Sequence, residues 1–363
     1  HQCGAEPTER GEVKLSLDNF QFIKMLGKGS FGTVVLAKRK LPAGREQLCA
    51  VKALKKKRFT RFYSICATIA EKEALILASG HPFITSLYSC FQNKDHLFFV
   101  MEYVSGGDLL KLLYEIEVFS EKRTQFYAAE ITLALQFLHM HGILHRDLKL
   151  ENVLLGSDGH CRVADLGLTK LGLFGRDKTS SWVGTPIYMA PEIMQNLPYG
   201  HAVDWWALGI MIYEMLVGHL PFDDNTEDAA DANQTLEDKI VNSKVQFPEG
   251  LSLAAVSVVR KLLKKDPAKR LGTRGSADKI RQHRFFKGID WQALLEKRMD
   301  PPEKPEVAEE ENVPYVFYVN EKEIKGTLEA VLEKEKINTE HVVDIVYQQQ
   351  AVFRVRPVTR CAR

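Results

Sequence analysis

The spacing of apolar residues changes at Gly106-Gly107, and that change sets the architecture of most of the chain. Between Phe20 and Phe99, the runs Gln21-Phe22-Ile23, Thr33-Val34-Val35-Leu36-Ala37 and Leu48-Cys49-Ala50-Val51-Lys52 are rich in β-branched and apolar residues and are separated by turn formers. Such runs are predicted to form short strands of a small antiparallel sheet. One interruption, Ala67 to Leu77, carries Ile69, Lys72, Glu73 and Ile76 distributed as on a helix. Beyond Gly107, Tyr127, Ile131, Leu135 and Leu138 recur at helical spacing, as do Trp205, Leu208, Ile212 and Met215. The expected fold class is therefore α+β with two lobes. Residues 20–104 form a small strand-rich lobe with one helix, residues 105–286 a large helical lobe, and the two meet near residues 102–107. Ligands usually occupy the cleft between such lobes.

Three groups of polar residues could use such a cleft. The run Gly27-Lys28-Gly29-Ser30-Phe31-Gly32-Thr33-Val34 places glycines where backbone N–H groups can approach a phosphate closely. A dinucleotide-binding reading needs a helix directly after the loop and an acid about twenty residues on. Here the loop opens into the strand Val34 to Ala37 and the later position is Lys52, so a glycine-rich hairpin between two strands is favoured. Lys52, on a strand beside that hairpin, can reach phosphate oxygens if an acid holds it, and Glu71 on the intervening helix is the candidate.

More specific is His145-Arg146-Asp147-Leu148-Lys149-Leu150-Glu151-Asn152, followed by Asp165-Leu166-Gly167. Phosphoryl transfer needs a carboxylate to orient the attacking hydroxyl, cations to neutralise phosphates and oxygen ligands for Mg²⁺. In this pattern Asp147 takes the hydroxyl proton, Lys149 sits against the transferred group, and Asn152 and Asp165 ligate metal. A surface turn would have to reproduce this spacing by chance.

Bulk properties narrow the field further. With 363 residues, 45% hydrophobic and 26% charged, the chain has the profile of globular protein. A net charge of +2 gives no single-sign field, so neither nucleic acid nor an anionic membrane is demanded as partner, and Lys55-Lys56-Lys57-Arg58 reads as solvated surface. The six cysteines are scattered without zinc or redox spacing, which reads as reduced thiols of an intracellular, cytoplasmic protein. No signal-like segment and no transmembrane-length apolar run is present.

Gly184-Thr185-Pro186, Ala190-Pro191-Glu192 and Asp204-Trp205-Trp206 complete a pattern that resembles the protein kinases. Residues 20–305 are most similar to AGC-type serine/threonine kinases of the novel protein kinase C class. The likeness is carried by His81-Pro82-Phe83, Phe98-Phe99-Val100-Met101-Glu102-Tyr103, Gly106-Gly107-Asp108-Leu109, Phe126-Tyr127-Ala128-Ala129-Glu130 and Val203-Asp204-Trp205-Trp206-Ala207-Leu208-Gly209. The resemblance implies ATP and Mg²⁺ as cofactors and an ATP site comprising Leu26, Gly27, Lys28, Gly29, Ser30, Phe31, Gly32, Val34, Ala50, Lys52, Met101, Glu102, Val104, Asp108 and Leu154. In it Val34, Ala50 and Leu154 enclose adenine, Glu102 and Val104 bond its edge through backbone, Met101 is the gatekeeper and Asp108 meets the ribose.

The resemblance also implies protein substrates with basic residues near the target Ser or Thr, read by Asp108, Glu151 and Glu214. It implies activation by phosphorylation at Ser181, by an upstream kinase, with Arg146 receiving the phosphate. Leu166 stands where the family has Phe, and Ile187 where protein kinase C has an acid. The family's Thr-Pro turn and aromatic hydrophobic motif are not visible. An inactive pseudokinase or scaffold is the alternative, and the presence of Lys52, Glu71, Asp147, Asn152 and Asp165 separates the two.

Residues 1–19 read as an N-terminal extension and 287–313 as a truncated kinase tail and linker, proline-rich and then acidic from Asp300 to Glu311. Residues 314–363 alternate strand, helix and strand patterns, a small α+β unit. Asp344-Ile345-Val346-Tyr347-Gln348 and Ala351-Val352-Phe353-Arg354-Val355-Arg356-Pro357 resemble the ubiquitin-like N-terminal domain of Notchless, a ribosome-assembly factor. That likeness implies an adaptor role, an AAA ATPase partner and a nuclear or nucleolar location for the module.

Overall fold

Alternation of apolar side chains at period two is what turns the first part of the chain into a sheet. In the computed structural model, which describes residues 16–29, 32–41, 44–56, 62–222, 234–273 and 277–305, two compact units are distinguished. The first holds the described residues up to Lys56 and Tyr88–Tyr103. Its strands are β1 (Phe20–Gly29), β2 (Gly32–Lys40), β3 (Glu46–Lys55), β4 (Leu87–Gln92) and β5 (His96–Glu102), in sheet order β1-β2-β3-β5-β4. The pairs β1–β2, β2–β3 and β3–β5 are antiparallel. Phe20, Phe22, Val35, Ala37, Cys49, Val51, Ala53, Phe98 and Val100 pack together as the core. The Phe91 ring stacks between Phe20 and Phe98, with centroids 5.5 and 4.7 Å away. Each buried Phe or Val side chain among them contributes about 1.5–3 kcal/mol relative to exposure.

Because side chains alternate across a strand, the residues between these core positions share the other sheet face. Register pairs Val34 with Lys52, Leu36 with Ala50, Ala50 with Met101 and Lys52 with Phe99. Four residues assigned to ATP from the sequence, Val34, Ala50, Lys52 and Met101, therefore lie on one face.

The second unit holds residues 62–87 and 104–305 of the described chain. Its elements are α1 (Phe62–Ala78), α2 (Leu109–Ile116), α3 (Glu121–Met140), the hairpin β6 (Val153–Leu155) and β7 (Cys161–Val163), α4 (Pro191–Met194), α5 (Ala202–Val217), α6 (Leu236–Asn242), α7 (Leu253–Leu262), α8 (Asp278–Arg281) and α9 (Trp291–Leu295). The helix expected from Ala67 to Leu77 is part of α1. Ser120 caps α3 by accepting from Arg123 N, and Ser252 caps α7 by accepting from Ala255 N. Helix α5 is buried on every side, with Trp205 and Trp206 at 2% and 0% exposure, so it forms the axis of this unit. Among the described residues no helix is long and apolar enough to cross a membrane. The Notchless-like segment and Ser30, Phe31 of the glycine run lie outside the described residues.

Candidate active site

Two buried acids on α4 and α5 organise the second unit's loops. Asp204, in the first turn of α5, accepts the His145 N–H at 3.0 Å on Oδ2 and the Arg146 N–H at 2.9 Å on Oδ1, while His139 Nε2 lies 2.8 Å from Oδ2. Burial alone would raise its pKa, but His139, His145 and the backbone donor hold it below the ordinary carboxylate value. Arg146 has φ of 71°, a left-handed conformation that a non-glycine side chain resists, and the carboxylate holds it there.

Three polar side chains meet around Asp147. Thr185 Oγ1 donates to Asp147 Oδ1 at 2.7 Å and accepts from Lys149 Nζ at 3.0 Å. Asn152 Nδ2 donates to the Asp147 carbonyl at 2.8 Å and to Oδ2 at 3.2 Å, and Lys149 Nζ stands 3.7 Å from Oδ2. Asp165, at φ of 56°, is brought beside Asn152 because the Ala164 N–H donates to the Asn152 carbonyl at 2.8 Å. Leu166 is fully buried, so the apolar position beside the acid keeps a packing role.

Asn152 commits its NH₂ group to Asp147, so Oδ1 is the atom it could offer a hard cation. With the Asp165 carboxylate this makes a hard-oxygen pair, the donor type Mg²⁺ takes when phosphates supply the remaining ligands. No cluster of three or more His, Cys, Asp or Glu able to hold a metal exists among the described residues. A Cβ at Gly27 would meet no described protein atom within 4 Å, whereas at Gly32 a Cβ would fall 2.2 Å from the Ala53 carbonyl oxygen, so packing demands glycine at the second position only. Lys52 and Glu71 are both buried, at 7% and 4% exposure, in the first and second unit respectively.

Asp108 and Leu154 come together in the second unit through hydrogen bonds of 2.8 Å between Gly106 and Gly107 and the two sides of Leu155, and a bridge between Asp108 and Leu154, and Val104 is buried two residues before Gly106. Asp108 also caps α2, its Oδ1 accepting the Lys111 N–H at 2.8 Å. Leu26 and Lys28 are exposed on β1, and Glu102 is half-buried at the end of β5.

Glu214 accepts the Tyr188 hydroxyl at 2.6 Å, and burial, with the Glu151 charge nearby, raises it to about 7 against that hydrogen bond. Ser181 Oγ accepts from Arg146 Nη1 at 2.9 Å and lies 3.3 Å from Thr179 Oγ1. The Tyr199 hydroxyl donates to the Ser181 carbonyl at 2.6 Å. The Glu192–Arg270 pair is bidentate, at 2.7 and 2.8 Å, with both side chains buried. Sequence reasoning gave no roles to Thr185, His139, Tyr188, Tyr199 or Arg270. Thr185 and Glu192 stood inside motifs it singled out, but Arg270 carried no local signal.

The protein kinase domain family matches residues 20–286, and the chain belongs to that family. Protein kinase C epsilon type of Oryctolagus cuniculus is 48% identical over 314 residues, covering 84% of this chain and 41% of that protein. Protein kinase C of Drosophila melanogaster is 47% identical over 294 residues, 81% of this chain and 39% of that protein. Serine/threonine-protein kinase N2 of Danio rerio is 42% identical over 315 residues, 86% and 31% respectively. The chain spans less than half the length of these curated relatives.

Proposed function

We propose that this chain is an AGC-type serine/threonine protein kinase of the novel protein kinase C type, transferring the γ-phosphoryl group of ATP to protein Ser or Thr. The observation that carries the reading is the convergence of Thr185, Lys149 and Asn152 on the Asp147 carboxylate, with Asp165 beside Asn152. Asp147 orients and deprotonates the attacking hydroxyl, Lys149 offers positive charge to the transferred group, and Asn152 and Asp165 hold the metal. Bound Mg²⁺ supplies charge neutralisation at the phosphates. Lys52 and Glu71 complete the set. An intact inventory of this kind favours catalysis over a pseudokinase scaffold. Transfer of radiolabelled phosphoryl from ATP to an arginine-rich serine peptide tests the reading, and failure to label any such peptide would reject it.

Substrate choice follows from the acids near the site. The Glu151 charge lies close enough to disfavour ionisation of Glu214, and a substrate guanidinium beside Glu214 offsets that effect. Asp108 is the third such acid. Below about pH 7 Glu214 is mainly protonated and above it mainly ionised, so attraction for a basic residue grows with pH. The advantage in kcat/KM of an arginine peptide over its alanine counterpart should rise by up to about tenfold from about pH 6 to about pH 8. An advantage that is flat with pH, or that persists unchanged in Glu214→Gln, would count against this assignment.

Ser181 is the proposed activating site. A phosphate there adds nearly two negative charges beside Arg146, which also binds the carbonyls of Leu168 and Thr169 at 2.5 and 3.1 Å. Ser181→Ala is expected to lower kcat by about tenfold or more. Wild-type activity that survives phosphatase treatment undiminished would refute it. For the C-terminal segment, the Notchless likeness supports an adaptor reading with an AAA ATPase partner, which a pull-down with residues 312–363 tests.

A further inference from the structure

The two strands that carry the metal ligands form one hairpin. Asn152 directly precedes β6 and Asp165 follows β7, so both stand at the hairpin's open end. Its closed end runs from Gly156 to His160 and is gripped from two sides. On the inner side Glu130 of α3, fully buried, binds His160 Nδ1 and accepts the Cys161 N–H at 2.8 Å.

On the outer side lies the segment from Lys297 to Pro305. Lys297 Nζ donates to Asp158 Oδ2 at 2.8 Å, and Arg162 Nη2 stands 3.3 Å from the same oxygen. Partial burial would raise the Asp158 pKa, but Lys297 and Arg162 hold it well below the usual carboxylate range. Further along, Pro301 and the Glu303 carbonyl press on Gly159, where a Cβ would fall 2.7 and 2.6 Å from them. The Glu303 carboxylate pairs with Arg123 of α3. Pro305 closes over Gly106, which is bonded to Leu155 of β6. Three prolines in this stretch lower the entropy lost in laying it down.

We propose that this segment is a strap, and that Asp158 and Lys297 are positioning residues which act through the hairpin on Asn152 and Asp165. The inner grip is buried, at 5% for His160 and 0% for Glu130, whereas the outer one is partly exposed, at 26% for Lys297 and 40% for Asp158, and so opens at the lower cost. Loosening it lets the turn swing, and a short two-stranded hairpin transmits that freedom to its open end. Retention of nucleotide-bound metal then falls while peptide binding is untouched. The inference rests on the metal role given to Asn152 and Asp165.

The test uses the full chain with Lys297→Met, Asp158→Asn and the conservative Lys297→Arg. Amide hydrogen exchange across Val153–Val163 and the affinity for Mn²⁺ in the presence of ADP are measured alongside KM for MgATP and for peptide. Lys297→Met and Asp158→Asn should each speed hairpin exchange and weaken Mn²⁺ binding by about three- to tenfold. Lys297→Arg should restore both, with peptide KM unchanged in all three. Hairpin exchange and Mn²⁺ affinity equal to wild type in both loosening variants would overturn the strap. A chain that shows the expected exchange and metal changes yet labels no peptide would instead overturn the kinase reading and leave the strap standing.

Discussion

Replacing Asp147 with Asn should lower kcat by about 10²–10⁴-fold while leaving KM for MgATP close to wild type. The carboxylate is held by Thr185 Oγ1 at 2.7 Å and by Asn152 Nδ2 at 3.2 Å, so an amide of the same shape keeps one of these bonds but can no longer take a proton. The neighbouring positive charge of Lys149 remains in place, and nucleotide binding does not pass through this side chain. Single-turnover kinetics with saturating MgATP isolate the chemical step. A rate within about threefold of wild type would show that another group accepts the proton.

The largest loss of stability is expected from Glu192→Leu. Both side chains of the Glu192–Arg270 pair are buried, Arg270 also donates to the Ala202 carbonyl at 2.9 Å, and its guanidinium stacks on Trp206 at 5.2 Å. Removing the acid leaves an uncompensated buried cation, which costs about 3–5 kcal/mol. Thermal midpoint should fall by about 10 °C, measured by calorimetry. Adding Arg270→Met should recover part of the loss, because an apolar pair of similar volume needs no charge compensation. A double variant less stable than Glu192→Leu would mean that the guanidinium acts chiefly through Trp206 and the carbonyls.

Local chemistry was the part of this protein most legible in its sequence. The strand runs, the helix across Ala67 to Leu77 and the spacing from Asp147 to Asn152 depend on neighbours a few residues away, and the structure places all of them in regular elements or a shared cluster. Long-range pairings were not legible. Arg270 finds Glu192 across 78 residues, and Asp204 finds Arg146 across 58, and neither spacing has a periodic signature. Helix α3 shows a related limit. Its period marks Tyr127, Ile131, Leu135 and Leu138, yet Ala128, Ala129, Thr132 and Ala134 are buried too, because small residues let neighbours approach on the remaining sides. The proline-rich stretch read as linker begins, at Asp300 to Pro305, as chain laid on the second unit, since its contacts are to glycines that only tertiary structure brings near.

The most direct measurement is phosphoamino acid analysis of a serine- and threonine-containing basic peptide after incubation with radiolabelled ATP and Mg²⁺, wild type against Asp147→Asn. Label is expected on phosphoserine or phosphothreonine with wild type and nearly none with the variant. Equal labelling by the two proteins, or label released only as inorganic phosphate, would contradict transfer directed by Asp147.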